Sequence, residues 1–236
     1  MNTHSMQDKI VLITGASRGI GAAVAKRFAS LGAHVVLVAR TVGGLEEVDD
    51  AIRAEGHGQA TLVPLDLRKL DALDGLAVQL AERFGKLDVL VGNAGILGGL
   101  RPLAHTTNMI WDEVLLLNLT ANWRLLRAVD PLLKKSTAGR AMFVTSGVTQ
   151  HVMPFFGAYA VSKAGLEMMV RTYAAEVAST PVRINLIDPG IVRTNMRAEA
   201  MPGEDPNTLP APEAVTDIFV QLADAILTAN GERFHI

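Results

Sequence analysis

The sequence predicts an α/β protein built on one doubly wound parallel sheet of six to seven strands, with helices on both faces and residues 1–236 forming a single domain. Three observations carry this. Short runs of β-branched and other aliphatic residues recur along the chain and are apolar at nearly every position, which fits strands buried on both faces. Longer segments with helical spacing separate them, and strand–helix alternation of this kind gives a parallel sheet. No internal repeat, low-complexity tract or linker divides the chain.

The elements follow in order. Residues 1–8 are polar and expected to be flexible. KIVLIT (9–14) is the first strand, followed by a helix over about 19–31. HVVLVA (34–39), ATLVPL (60–65) and LDVLVG (87–92) are the next strands, with helices at about 43–55 and 70–84 between them. A long helix at 108–135 leads to RAMFVT (140–145), a helix at 159–178 leads to VRINLI (182–187), and a last helix is expected at 212–229. The closing ERFHI can add a seventh strand. MPGEDPNTLPAP (201–212) reads either as a plain surface loop or as a lid, and the wider 195–212 stretch as a substrate-side loop. The helices at 108–135 and 159–178 carry apolar residues on more than one face, which points to a homo-oligomer, dimer or tetramer.

Composition narrows the class. Hydrophobic residues make up 49% and charged residues 19%, a balance that fits a packed core. No apolar run approaches the roughly 20 residues that span a bilayer, and MNTHSMQDK lacks an apolar leader core. The absence of cysteine removes thiolate metal sites, so no metal is expected, and it agrees with a reducing cytoplasm. A net charge of -2 offers no basic surface for nucleic acid.

TGASRGIG follows the first strand, with Gly15, Gly19 and Gly21 spaced to let backbone approach a phosphate. The helix behind it offers free N–H groups and a positive dipole end. A nucleotide is therefore expected on Gly15, Ser17, Arg18, Gly19, Ile20 and Gly21. The second strand ends in Ala39 and Arg40 where an NAD site has an acid. Two guanidiniums, Arg18 and Arg40, suit a 2′-phosphate, so NADP(H) is expected over NAD(H). The plainer alternative leaves both arginines as solvated surface residues.

At the C-terminal strand ends lie GNAG (92–95), Ser146 and DPGIVRT (188–194). Asn118 sits in the long helix, and AYAVSK places Tyr159 four residues before Lys163. In that order, this set resembles a classical short-chain dehydrogenase/reductase, and the likeness runs from about Lys9 to the end. The resemblance implies a Rossmann-type fold and an oxidoreductase interconverting a ketone or aldehyde with an alcohol. By that resemblance Tyr159 is the proton donor and acceptor, Lys163 supports its phenolate and the nicotinamide ribose, Ser146 orients the substrate oxygen, and Asn118 holds a relay water. It also implies cofactor contacts from Asp66 and Leu67, from Asn93, Ala94 and Gly95, and from Pro189, Gly190, Val192 and Thr194. A free phenol ionises near ~10, so a neighbouring cation has a physical purpose.

Three positions depart from the family pattern. Gly92 replaces a usual asparagine, Asp188 is an unusual neighbour for Pro189, and the sequence ends at GERFHI where relatives continue, which leaves a dimer open beside the tetramer. The substrate pocket is expected from Ile96, Leu97, Val148 to Met153, Phe155, Phe156, Ile191 and 195–212, mostly apolar, with His151 facing solvent. That suits an apolar carbonyl or alcohol, with a 3-oxoacyl thioester reductase as a narrower variant. A non-catalytic nucleotide-binding sensor or partner-binding protein is the competing class. A methyltransferase is disfavoured by Arg40.

Overall fold

The computed structural model describes residues 6–56 and 58–236. Of the stretch expected to be flexible, residues 1–5 lie outside the described residues. Met6 is buried, and its amide donates to the Leu31 carbonyl at 3.0 Å.

Seven strands form one parallel sheet: β1 (Ile10–Thr14), β2 (His34–Ala39), β3 (Gln59–Pro64), β4 (Val89–Gly92), β5 (Arg140–Val144), β6 (Arg183–Asp188) and β7 (Arg233–His235). Their order is β3-β2-β1-β4-β5-β6-β7. The chain order reverses between β1 and β4, where Ile13 pairs with Leu37 on one side and Val91 on the other. That reversal opens a crevice at the C-terminal strand ends. The short ERFHI segment does pair, with Leu186 opposite Arg233 and Asp188 opposite His235.

Helices cover both faces. On one, α1 (Gly19–Ser30), α2 (Val42–Glu55) and α8 (Thr216–Leu222) bury Phe28, Ile52 and Phe219 against alternate strand residues such as Val11 and Ile13. On the other, α3 (Leu70–Phe84), α5 (Ala121–Lys135) and α6 (Gly157–Glu176) bury Leu73, Leu125 and Leu166 against Leu12, Leu90 and Phe143. Because strand side chains alternate, one continuous apolar run feeds both cores.

Two expected helices differ from their sequence reading. The long one is α4 (Asn108–Leu115), a π-turn over Leu116–Thr120, and then α5. The widened turn carries the buried Asn118, whose freed carbonyl accepts from Asn122 Nδ2 at 2.9 Å. Such insertions are a common way to place a side chain within a helix. The last helix stops at Leu222 rather than 229. Beyond it, the buried Arg140 guanidinium takes the carbonyls of Asp224, Ala225 and Leu227 at 2.9, 2.7 and 3.3 Å, which turns this stretch of backbone toward β5 and out of helical register. Within 195–212 the chain forms α7 (Asn195–Ala200), capped by Thr194 Oγ1 accepting from the Arg197 amide at 3.1 Å. Arg197 then pairs with Glu204 at 2.7 Å. Among the described residues, no helix is long and apolar enough to cross a membrane.

Candidate active site

The crevice between β1 and β4 widens into a cleft of about 520 Å³. One half is the turn from β1 into α1. Gly15, Ser17, Arg18, Gly19 and Ile20 line it. Gly21 stands just behind: a Cβ there would lie 2.3 Å from the Gly15 carbonyl oxygen and 2.6 Å from Asn93 Nδ2. Only a glycine lets the loop close this tightly. Arg18 is the extended N-cap residue of α1 and makes no side-chain cap bond, so the first-turn N–H groups face the cleft free for an anion.

Arg18 and Arg40 are both exposed at the cleft wall, and among the described residues neither is spent on an ion pair. Asp66 and Leu67 also line the cleft. The Asp66 carboxylate is already held by Arg68, at 2.7 Å from Nη2 and 3.0 Å from Nε. That hydrogen bonding keeps its acid form down at about 2. Ala94 and Gly95 form the floor. The Asn93 side chain braces the glycine turn, donating to the carbonyls of Thr14 at 3.0 Å and Gly15 at 3.3 Å. Thr14 Oγ1 in turn accepts from the amides of Asn93 and Ala94 at 3.0 and 3.1 Å. No motif pointed to Thr14, yet it ties the β1 and β4 ends together. The Gly92 departure has a packing cause: any Cβ there would lie 2.3 Å from the buried Phe143 ring.

The other half gathers Ser146, Tyr159 and Lys163 with Pro189, Gly190, Val192 and Thr194. Ser146 follows β5 as the cap of a short turn over Gly147–Thr149. Tyr159 and Lys163 lie one helical turn apart on the buried face of α6. The Lys163 ammonium donates to the Val144 carbonyl at 2.8 Å and lies 5.7 Å from the centre of the Tyr159 ring. Burial pulls Lys163 down to about 8. It also pushes the Tyr159 phenol above its usual value; a hydrogen bond with Ser146 opposes that rise and the Asp188 carboxylate adds to it. In the protein alone, then, the phenol's rise is set by burial, and what lowers it is the bond with Ser146.

Asn118 lies behind the cleft wall instead of in it. Its amide exchanges two 2.9 Å bonds with the Ile96 backbone and donates to Ser162 Oγ at 3.0 Å. The side chain thus fixes the loop after β4, and its hydrogen-bonding capacity is largely used there.

The apolar wall is narrower than expected. Ile96, Leu97 and Phe156 line the cleft together with Met196 and Ala200 of α7. Gln150, His151, Val152, Met153, Phe155 and Ile191 face solvent, and Val152 is 99% exposed. The turn at 147–149 precedes the exposed residues 150–153, and Phe155, at a left-handed φ of 74°, is exposed as well. Pro212, at the end of the expected 195–212 stretch, and Leu117, which was not anticipated, also line the cleft, as do the charged Asp188, Arg193, Arg197 and Glu199.

Known proteins share this chain's sequence pattern and fold. A family model described as short chain dehydrogenase matches residues 9–205. An uncharacterized oxidoreductase of Escherichia coli, YciK, is 36% identical over 219 residues, covering 92% of this chain and 86% of its own. A solved structure of a short chain dehydrogenase from Pseudomonas syringae superposes with a TM-score of 0.95 at 37% identity, covering 98% of this chain and 96% of that one. Another, from Escherichia coli and complexed with NADPH, gives 0.92 at 34% identity over 99% and 98% of the two chains.

Proposed function

The chain belongs to the short chain dehydrogenase family, and from that membership we propose that it is an NADP(H)-dependent oxidoreductase interconverting an apolar ketone or aldehyde with its alcohol. The observation that carries this reading is the placement of the Ser146, Tyr159 and Lys163 side chains on the same 520 Å³ cleft as the open end of α1.

The residues present fit the dinucleotide. The uncapped α1 terminus suits a pyrophosphate. The two unspent guanidiniums, Arg18 and Arg40, suit a 2′-phosphate. The bound nicotinamide supplies or accepts the hydride. Everything else falls to the chain. Ser146 holds the substrate oxygen by hydrogen bond, beside Tyr159. The Tyr159 hydroxyl gives its proton to that oxygen in reduction and takes it back in oxidation. Lys163 sits where its charge limits the cost of the phenolate left behind. Asn118 acts indirectly, by locking Ile96 and the loop that forms the apolar wall. Leu97, Phe156 and Met196 exclude water from the reacting oxygen.

The whole chain acts as one domain in this reading, with α7 and the residues to 212 as a substrate-side flap. Exposed Met109, Trp123, Val161 and Met168 on α4, α5 and α6 support a homo-oligomer, and the lack of cysteine agrees with work in the cytoplasm.

Fluorescence titration with NADPH beside NADH tests the reading. NADPH should bind at least about tenfold more tightly. Equal binding overturns the cofactor choice while leaving the Tyr159 chemistry. Binding of NADPH with no reduction of any carbonyl supports a non-catalytic sensor instead.

A further inference from the structure

The segment that carries Ser146 is held by two adjacent charged residues, Glu167 and Arg233, that no motif above includes. Glu167 lies one turn beyond Lys163 on α6 and is buried, with its side chain 6% exposed. Its Oε1 accepts from Thr145 Oγ1 at 2.7 Å and from Thr149 Oγ1 at 2.6 Å. Those threonines flank Ser146 on either side. Beside Glu167 stands Arg233 of β7. Its Nη2 donates to the Ser146 carbonyl at 3.4 Å and to Asp188 Oδ2 at 2.7 Å, while its Nε lies 3.4 Å from Glu167 Oε1. Asp188, buried at the end of β6, also accepts from the Gly190 amide at 3.1 Å and lies 3.0 Å from His235 Nδ1. Arg171 faces Glu167 Oε2 at 3.5 Å from a half-exposed position.

Two buried carboxylates around one guanidinium are costly to assemble in an interior unless geometry is the return. Here the geometry returned is that of residues 145–149. Tyr159, Lys163 and Glu167 are spaced four apart on one face of one helix. The helix that presents the proton donor therefore also grips the strand end that presents Ser146. A rigid supporting shell of this kind keeps two reacting groups in register, and losing about 1 Å of it costs rate more than binding.

We propose that Glu167 and Arg233 are positioning residues, holding the Ser146 segment against α6 so that Ser146 and Tyr159 meet the same substrate oxygen. Glu167 acts through the hydroxyls of Thr145 and Thr149, and Arg233 through the Ser146 carbonyl and Asp188. The proposal rests on the oxidoreductase reading for its catalytic consequence, and on the hydrogen bonds alone for its structural one.

The test uses the full chain with NADPH and four probe carbonyls: benzil, diacetyl, benzaldehyde and a 3-oxoacyl thioester. Glu167→Met and Arg233→Met should each lower kcat on the best probe by about tenfold or more, with NADPH affinity within about twofold of the starting protein. Glu167→Gln should restore most of that loss. Its amide oxygen can still accept from both threonines, and its NH₂ would face only Arg171. Hydrogen exchange of the peptide spanning 145–151 should quicken in the two Met variants and stay slow in the Gln variant. The proposal is overturned if kcat is unchanged in both Met variants, if Gln is as damaged as Met, or if exchange of 145–151 does not respond. Should the starting protein reduce none of the four probes, the oxidoreductase reading fails by itself, and exchange still decides the clamp. Should a Met variant not fold, Glu167→Gln beside Arg233→Lys decides it: near-full turnover with slow exchange is expected, and a loss in both overturns it.

Discussion

The Lys163 ammonium lies 5.7 Å from the centre of the Tyr159 ring and donates a hydrogen bond to the Val144 carbonyl at 2.8 Å. Among the described residues no anion pairs with the lysine, and both groups are buried. Each group is pushed toward its neutral form, the lysine down to about 8 and the phenol upward. Paired shifts of this kind in a cleft are frequent at reactive sites, and they come at some cost to the fold.

Tyr159→Phe keeps the buried ring and removes the proton. Turnover should fall by a factor of about 10² or more, while NADPH affinity stays within a few-fold, since the cofactor's phosphates are expected at the far end of the cleft. Steady-state kinetics beside a binding titration separate the two. Turnover like that of the unaltered protein would remove Tyr159 from the reaction.

Lys163→Met should make the cofactor-free protein more stable at pH 7 while abolishing turnover. A lysine lowered from 10.5 to about 8 carries a burial penalty of roughly 3 kcal/mol. Losing the bond to the Val144 carbonyl returns about 1–2 kcal/mol of that. The net gain should raise Tm by a few degrees. The sign with pH is fixed: the penalty is fully present below about 8 and fades as pH rises through 8 toward 10.5, where the unfolded lysine also loses its proton. The Tm difference between variant and starting protein should therefore shrink above pH 8. Calorimetry across pH 6 to 10 checks this; a variant that melts lower at pH 7 contradicts it.

Arg40→Asp reverses the charge beside the end of β2. NADPH binding should weaken by about 10² or more, from a lost guanidinium contact and added repulsion of the 2′-phosphate. NADH, which has hydroxyls there, should bind as well or better. The titration should be run at two salt concentrations, since exposed Arg40 is screened. Equal loss for both nucleotides would show that Arg40 does not read the phosphate.

The sheet was legible because its code is local. Runs such as HVVLVA are apolar at every buried position, and the glycine turn sits between strand and helix where a nucleotide site needs it. Most candidate site residues line one cleft for the same reason: parallel strands bring their C-terminal ends together. What the sequence hid depends on partners far apart in the chain. The last helix ends early because Arg140 claims carbonyls that lie 84 or more residues away. Gly92 looked like a departure until Phe143 appeared against it. Glu167 and Arg233 drew no reading from the sequence, since nothing local marks a carboxylate that will face two threonines across a strand end. Asn118 was expected to hold a relay water, whereas its side-chain contacts run to Ile96 and Ser162 behind the cleft wall, partners that no local pattern names.

Gly21→Ala tests whether the tight turn before α1 is the cofactor's seat. The new Cβ would meet the Gly15 carbonyl oxygen at 2.3 Å and Asn93 Nδ2 at 2.6 Å. Both are fixed, one by the backbone and one by its bonds to Thr14 and Gly15, so the turn itself must open. Overpacking of this kind costs about 1–3 kcal/mol, and NADPH affinity should fall by about tenfold or more because the backbone amides lose their aim. Gly75→Ala is the matched control. It lies on the exposed side of α3 with nothing within 4 Å of the added Cβ, so it should gain about 0.5–1 kcal/mol and bind NADPH unchanged. If both variants bind NADPH like the starting protein, the phosphates sit elsewhere in the cleft.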